Sequence, residues 1–289
     1  MPFFQRNENI SIFYIDEGSK DAQAVLLIPG ITCDLHDWNW QVPFLLGRRF
    51  RVITPDPRGQ GRSSAPAPTP DITSYPGPGA NPSIVDYYPQ STAEDFVALL
   101  CDLDVSSAVL VAHSLSTAAA YHLASTRPDL IRALVILDPL HSVPVATAEE
   151  HLSDPALVLQ NLATLFEPAL YPPTVPAWHN TWIARRAAQA DMAVILAQCR
   201  ACLCDPEGLG RREVSVSRHG GKVKAPRLTI GNSEYWVGTE RNYMPPSSDF
   251  DEIHLVEGVG HWFHQHKSEE ANRILERWFE RIGLLPVDR

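Results

Sequence analysis

The 289-residue chain has no uninterrupted run of 18 or more apolar residues, which is the length that a membrane-spanning helix requires. Its first residues also lack the apolar core of a secretory signal. We therefore expect a cytoplasmic protein that does not use a membrane as a partner.

Several cofactor and ligand signatures are missing as well. The sequence contains no glycine-rich phosphate loop, no dinucleotide-binding fingerprint and no evident cluster of metal ligands, so we expect neither a cofactor nor a metal. Basic residues are outnumbered, with 24 Lys and Arg against 34 Asp and Glu, for a net charge of −10. That balance argues against nucleic acid as a partner.

Cysteine is scarce and its count, five, is odd, which favours free thiols over a disulfide framework. Cys199, Cys202 and Cys204 form a C-x2-C-x-C pattern, but no fourth ligand stands at a suitable spacing for zinc. We interpret the three as buried or partly buried thiols on a helix.

Apolar runs alternate with helix-type segments along most of the chain. Such alternation predicts a mostly parallel sheet covered by helices on both faces. Strands are expected at 10–15, 24–28, 50–54, 108–112, 133–137, 226–230 and 253–256, and helices at 37–46, 93–102, 117–124 and 268–282. The helix at 93–102 is expected to begin at a capping signal in Ser91-Thr92-Ala93-Glu94.

Strand signals stop between residues 141 and 222. Apolar periodicity there suggests helices near 146–166, 177–188 and 192–203. We predict a core of residues 1–140 and 223–289, with residues 141–222 inserted as a helical lid. A second segment, 65–89, holds seven prolines and two glycines, which predicts a long surface loop.

A serine stands where a predicted strand meets a predicted helix. The stretch Val109-Leu110-Val111-Ala112-His113-Ser114-Leu115-Ser116-Thr117 is typical of a nucleophile elbow, a tight turn that exposes a hydroxyl at the carboxyl end of a sheet. The flanking positions, Ala112 and Ser116, are small but are not the usual glycines. Ser114 is therefore a candidate nucleophile, and the alternative is a serine that caps the following helix.

With these elements in place, the chain resembles the α/β-hydrolase fold superfamily. The resemblance rests on Pro29-Gly30 after one strand, the Asp56-Pro57-Arg58-Gly59-x-Gly61-x-Ser63 segment after the next, the elbow, and Gly258-Val259-Gly260-His261 after the last strand. It implies an eight-stranded, mostly parallel sheet and a triad in the order Ser, Asp or Glu, His. Arg58 is expected to pair with a carboxylate and His113 to pack beneath the elbow.

A narrower likeness points to the cofactor-free 3-hydroxy-4-quinolone 2,4-dioxygenases, which cleave a heterocyclic ring with O2. It rests on His113-Ser114, on Asp138 directly after a strand, and on the Gly-x-x-His261 pattern. Three positions differ: Ile31 replaces a tryptophan, Cys33 a histidine and Ser116 a glycine. Those differences fall where the substrate is expected to bind.

His261 is the candidate base because its glycine-containing loop can carry an imidazole to the elbow. The acid that orients it must follow a strand, and two residues qualify: Asp138 after 133–137, and Glu234 after 226–230. Asp138 is favoured, and Glu234 stays open as the alternative. The resemblance also implies an oxyanion hole formed by the backbone N–H groups of Ile31 and Leu115.

These features favour a cofactor-free serine hydrolase that cleaves an ester, lactone or thioester-like bond of a small apolar organic substrate. One alternative is ring-cleaving dioxygenation with His261 as base. Another is a ligand-binding protein that uses the same scaffold without catalysis. The sequence leaves the substrate and the oligomeric state open.

Overall fold

The computed structural model describes residues 2–68, 86–141, 143–144, 146 and 172–285. Most of the proline-rich segment 65–89 and nearly all of the helix predicted near 146–166 lie outside these residues. In the part that is described, no helix is long and apolar enough to cross a membrane.

Eight strands form a single sheet in the order β1-β2-β4-β3-β5-β6-β7-β8. From β4 to β8 all neighbours are parallel, whereas β1 and β2 join the edge in antiparallel fashion. The strands are β1 Phe3–Gln5, β2 Ser11–Glu17, β3 Ala24–Ile28, β4 Arg51–Pro55, β5 Ala108–His113, β6 Ile131–Leu137, β7 Arg227–Gly231 and β8 Glu252–Leu255. The α/β-hydrolase architecture predicted from the sequence is confirmed.

The helices are α1 Gln41–Gly47, α2 Pro89–Asp102, α3 Ser116–Thr126, α4 Ala177–Gln189, α5 Met192–Cys199, α6 Arg212–His219, α7 Glu234–Tyr243, α8 Phe263–His266 and α9 Ser268–Arg281. A 3₁₀ turn, Leu35–Trp38, precedes α1, and a π-helical turn, Arg200–Cys204, continues α5.

Strand alternation divides the core into two layers. Side chains such as Leu26, Leu110 and Leu134 join α2 and α3 on one face of the sheet. Their neighbours along the strands, such as Val25 and Val109, join α1 and α9 on the other face. Because both faces are covered, the central strands are apolar at nearly every position.

Several predictions of local structure need correction or addition. Helix α2 begins at Pro89 rather than at 93, because proline suits the first turn and Tyr88 occupies the N-cap position, so the capping signal at Ser91 is wrong. The short edge strand β1 and helices α6, α7 and α8 were not predicted. Each is short or has too few apolar residues to give a clear periodicity.

The insertion between β6 and β7 is helical where it is described. Helix α4 matches the prediction for 177–188, and α5 with its π-helical turn matches that for 192–203. The division into core and lid remains a prediction. What the fold does establish is that β3, β5, β6 and β8 end at the same edge of the sheet, where the candidate residues gather.

Candidate active site

Ser114 occupies a strained turn between β5 and α3. Its φ of 56° lies in the left-handed region, which is uncommon for residues other than glycine. The Ser114 N–H donates to the carbonyl of Leu137 at 3.0 Å, so the turn is fixed against the end of β6. Backbone strain of this kind typically costs about 1–3 kcal/mol and concentrates at functional sites.

Ser116 stands where the elbow pattern usually has glycine, and its hydroxyl has a partner of its own. Ser116 Oγ donates to the carbonyl of Pro29 at 2.6 Å, which ties the elbow to the loop after β3. Thr117 Oγ1 donates to the carbonyl of Ser114 at 2.5 Å and accepts the Leu140 N–H at 3.0 Å. The hydroxyl groups after Ser114 therefore hold both neighbouring loops.

Gly30 allows the loop after β3 to approach the elbow closely. A Cβ at this position would lie 2.9 Å from His113 Nδ1 and 3.1 Å from the Ser114 Cβ. No ordinary side chain fits at the first of these distances, so the Pro29-Gly30 pattern is explained by packing.

Ser114, His261 and Asp138 form a continuous hydrogen-bonded chain. His261 Nε2 lies 2.9 Å from Ser114 Oγ, and His261 Nδ1 lies 2.8 Å from Asp138 Oδ2. Because a carboxylate only accepts, Nδ1 carries the proton and Nε2 is left to accept from the serine hydroxyl. The three residues come from three separate loops, after β5, β6 and β8.

Asp138 is completely buried and has a φ of 42°, also in the left-handed region. Its second oxygen, Oδ1, accepts the Asn232 N–H at 2.8 Å. Burial raises the pKa of Asp138, while the hydrogen bond with His261 and the backbone hydrogen bond from Asn232 act in the opposite direction.

Glu234, the alternative acid, lies elsewhere. It is in the first turn of α7, its side chain is 60% exposed, and it pairs with Arg241 of the same helix. Asp138, not Glu234, therefore faces the imidazole of His261 in this structure. Trp236 of α7 does approach, with its ring centroid 5.4 Å from that of His261.

His113 packs beneath the elbow, as expected. Its ring is completely buried, and Nε2–H donates to the backbone carbonyl of His261 at 3.0 Å. Burial lowers the pKa of His113 to about 3, with further lowering from the charges of His261 and His264. His113 is therefore neutral near pH 7 and supports the His261 loop as a hydrogen-bond donor.

The proposed oxyanion donors, Ile31 and Leu115, lie on the loop after β3 and just after Ser114. Across the described residues neither N–H donates to another protein acceptor, so both are available to a ligand. Their side chains belong to one apolar cluster that includes residues of α5 and its π-helical turn: Ile195, Cys199, Cys202 and Leu203.

In the part of the chain that the structure describes, two sets of side chains bring possible metal-binding atoms within 4.8 Å of one another. One is Asp37, His113 and His264, and the other is His113, Asp138 and His261. Asp37 already pairs with Arg186 at 3.2 Å, which reduces its suitability for a dication. The C-x2-C-x-C cysteines behave as predicted: Cys199 and Cys202 are buried, Cys204 is partly buried, and burial raises the pKa of Cys202 to about 12.

Arg58, in the turn after β4, pairs with a carboxylate as predicted. Its Nε and Nη2 each donate to Asp95 at 2.7 Å. Asp56 in the same turn accepts the N–H groups of Leu35 at 2.7 Å and Arg62 at 2.8 Å. The segment therefore braces the loop after β3 and has no contact with Ser114 that the structure records.

A sequence model of the alpha/beta hydrolase fold matches residues 23–188. The chain belongs to the α/β hydrolase fold family. Sequence comparison finds an epoxide hydrolase of Caballeronia sordidicola, 35% identical over 141 residues, which are 49% of this chain and 36% of that protein. A non-heme chloroperoxidase of Burkholderia pyrrocinia is 32% identical over 114 residues, 39% of this chain and 35% of that protein. The matches thus span little more than a third of these relatives.

Among solved structures, a carboxylesterase of Nitrososphaera gargenis superposes on this α/β hydrolase with a TM-score of 0.73. The alignment covers 98% of this chain and 99% of that one, at 18% sequence identity. At this identity the superposition establishes the fold and leaves the chemistry to the residues of the site.

Three residues near the site were not predicted from the sequence to belong to it: Asp37, Arg186 and His264. Asp37 and His264 are buried, Arg186 is nearly so, and all three contact the groups around His113. Asp37 was placed in a predicted helix and Arg186 in the predicted lid. Nothing in their local sequence distinguishes them from other charged residues, because their contacts are made across 149 and 227 positions of the chain.

Proposed function

We propose that this α/β hydrolase cleaves an ester, lactone or thioester-like bond of a small apolar molecule, with Ser114 as nucleophile, His261 as base and Asp138 as acid. The hydrogen-bonded chain from Asp138 through His261 to Ser114 carries the proposal. No metal or cofactor is part of it.

The chemistry follows from the proton positions. As Ser114 Oγ attacks the substrate carbonyl, its proton passes to Nε2 of His261, and Asp138 stabilises the resulting imidazolium. The negative charge on the carbonyl oxygen is stabilised by the N–H groups of Ile31 and Leu115. His261 then protonates the leaving group, and a water molecule releases the acyl group by the reverse sequence.

The environment of the oxyanion residues supports an apolar substrate. Ile31 and Leu115 pack with aliphatic and cysteine side chains of the insertion. We propose that residues 141–222 act as the lid of the site, with 1–140 and 223–289 as the core. The name of one relative, epoxide hydrolase, is consistent with hydrolysis but does not identify the substrate.

The experiment that tests the proposal compares wild type with Ser114→Ala on p-nitrophenyl esters of increasing acyl length. Loss of the nucleophile should reduce kcat/KM by about three orders of magnitude or more, toward the rate that binding and the oxyanion donors alone provide. A serine-directed fluorophosphonate should label Ser114 in wild type and leave the variant unlabelled. An unlabelled, fully folded wild type would contradict a nucleophilic serine.

One observation keeps the cofactor-free dioxygenase as a second candidate. The acid, Asp138, follows β6, which is the position used by that group, and His261 could deprotonate a substrate hydroxyl. In that chemistry Ser114 only holds the substrate by a hydrogen bond, so Ser114→Ala should cost about tenfold to a hundredfold. O2 uptake that matches the loss of a hydroxyquinolone substrate would favour this candidate. Binding without turnover of any kind would favour a ligand-binding protein.

A further inference from the structure

A second carboxylate lies behind the candidate catalytic histidine. Asp37, in the 3₁₀ turn before α1, is completely buried. Its Oδ1 accepts from Arg186 Nη2 at 3.2 Å and from the side-chain amide of Gln265. Arg186 belongs to α4 in the insertion between β6 and β7, and its side chain is only 9% exposed. The ion pair thus joins the insertion to the core.

The other oxygen of Asp37 faces two imidazoles. Asp37 Oδ2 lies 3.6 Å from His113 Nδ1 and 3.6 Å from His264 Nε2. His113 in turn donates to the His261 carbonyl, and the ring centroids of His113 and His261 are 4.5 Å apart. One imidazole therefore separates the Asp37 carboxylate from the imidazole that bonds Ser114.

On the side of His261 where His113 lies, the charges nearly cancel. Burial raises the pKa of Asp37, but its partners, the Arg186 cation foremost, hold the pKa well below its usual range, so Asp37 is a carboxylate. Its charge is balanced by Arg186. His113 is neutral, and burial likewise keeps the nearby Cys33 thiol protonated.

The remaining groups that face His261 come from four other elements. Among the described residues, Asp138 after β6 is the one carboxylate in direct contact with His261, at 2.8 Å. Ser114 bonds the imidazole from the elbow, Trp236 approaches from α7, and His264 lies beyond His113 on α8 with a ring centroid 4.6 Å from that of His113. The Asp37–Arg186 pair is thus the second charged unit that the described residues place near the histidine.

We propose that Asp37 and Arg186 are positioning residues for His261. His113 holds the His261 loop through its carbonyl, and on the far side of that neutral imidazole Arg186 cancels the negative charge that Asp37 would otherwise place behind His261. The inference rests on the proposed function for its kinetic readout. It also has a readout that needs no substrate.

The two single variants should move the acid limb of the kcat/KM–pH profile in opposite directions. Arg186→Gln leaves the Asp37 carboxylate unbalanced, which favours the imidazolium form of His261 and moves the acid limb of the kcat/KM–pH profile to higher pH. Asp37→Asn leaves the Arg186 cation unbalanced and moves that limb to lower pH. Each shift should be about half to one pH unit, as expected for a charge several ångströms away through protein. The double variant should return toward the wild-type midpoint.

The kinetic experiment measures kcat and KM of p-nitrophenyl butyrate hydrolysis from pH 5 to 9. In both single variants kcat should fall about three- to tenfold, while KM stays within about twofold, because the groups support the base rather than the substrate. Arg185→Gln is the matched control, since Arg185 is the neighbouring residue on α4 and is exposed. Arg186→Lys keeps the charge and should retain the wild-type midpoint. If Asp37→Asn does not fold, the difference between the midpoints of Arg186→Gln and Arg186→Lys still tests the effect of the charge.

The second measurement is a ¹⁵N NMR titration of the His261 imidazole without substrate, with its signals identified by their loss in His261→Ala. Midpoints that move in opposite directions in Arg186→Gln and Asp37→Asn support the inference, even if no ester is hydrolysed and the proposed function fails. Midpoints that do not move, or that move together in variants with wild-type circular dichroism, overturn it. Equal shifts in Arg185→Gln also overturn it.

Discussion

Among the described residues, two buried groups hold a histidine and a carboxylate at hydrogen-bond distance, and both begin just beyond β6. The Ser114 assembly consists of Asp138, His261 and Ser114, with histidine contacts of 2.8 and 2.9 Å. The Glu240 assembly consists of His141, Glu240, Tyr121 and Arg227. In it, His141 Nε2 lies 2.6 Å from Glu240 Oε1, and Arg227 Nε lies 3.0 Å from Glu240 Oε2.

The difference between them lies in what surrounds the carboxylate. Glu240 is enclosed by Tyr121, His141 and the Arg227 cation, so its charge is balanced and all its partners are fixed. In the Ser114 assembly the histidine instead bridges the carboxylate to a hydroxyl. Ser114 and Asp138 both have left-handed backbone conformations, and no member of the Glu240 assembly does. A short histidine–carboxylate contact is therefore a weak indicator of catalysis unless a strained nucleophile completes it.

The largest effect should separate the two candidate acids. Asp138→Asn should lower kcat/KM for a p-nitrophenyl ester by about three to four orders of magnitude, because the amide cannot stabilise the imidazolium and favours the wrong tautomer of His261. Glu234→Gln is the matched control. It removes an exposed charge that pairs with Arg241, and it should leave the rate within about twofold. An inactive Glu234→Gln variant together with an active Asp138→Asn variant would reverse the assignment of the acid.

A second substitution should act on stability instead of on turnover. Glu240→Gln removes the carboxylate that balances Arg227, whose side chain is only 6% exposed. Among the described residues, the buried cation then keeps one carboxylate nearby, Asp251 at 3.4 Å. Breaking one partner of a buried pair commonly costs about 3–5 kcal/mol. Urea denaturation should report this loss in the free energy of unfolding, while the rate per folded molecule stays near that of wild type. A large loss of kcat in folded Glu240→Gln would mean that the assembly takes part in catalysis.

The smallest expected effect is a loss of stability at acid pH, to which a histidine in each region contributes. Burial lowers the pKa of His113 near Ser114, and that of His219 beside Tyr121, to about 3. Because the unfolded chain takes up these protons near pH 6.5, stability is complete above that pH and is lost as the pH falls toward 3. Each histidine should cost about 2 kcal/mol of unfolding free energy at pH 5.

The measurement for this prediction is the free energy of unfolding in urea at pH 7, 6 and 5. His219→Gln should flatten the dependence on pH relative to wild type, because it removes one of the two neutral buried imidazoles. A wild type whose stability is constant from pH 7 to 5 would contradict the neutral buried state of these histidines.

Sequence patterns predicted the parts of the fold that depend on local periodicity. The interior strands were placed to within a residue or two because burial on both faces makes their runs continuously apolar, as in β3. Patterns were less informative at the edges: β1 has three residues and only one neighbouring strand, and the start of α2 depends on Pro89 rather than on a polar cap. The elbow serine and the glycine-flanked histidine were predicted because their turns require particular residue types at fixed positions.

The sequence alone determined the α/β architecture, most of its strands and helices, and the candidate residues Ser114 and His261, since each follows from periodicity or from turn chemistry within a short segment. It left Asp138 and Glu234 both possible, because each follows a strand that ends at the same edge. Only the tertiary structure decided which carboxylate faces the imidazole. It also decided that Asp37 and Arg186 meet behind His113, because such contacts join segments that are distant in the chain and depend on how the insertion packs on the core.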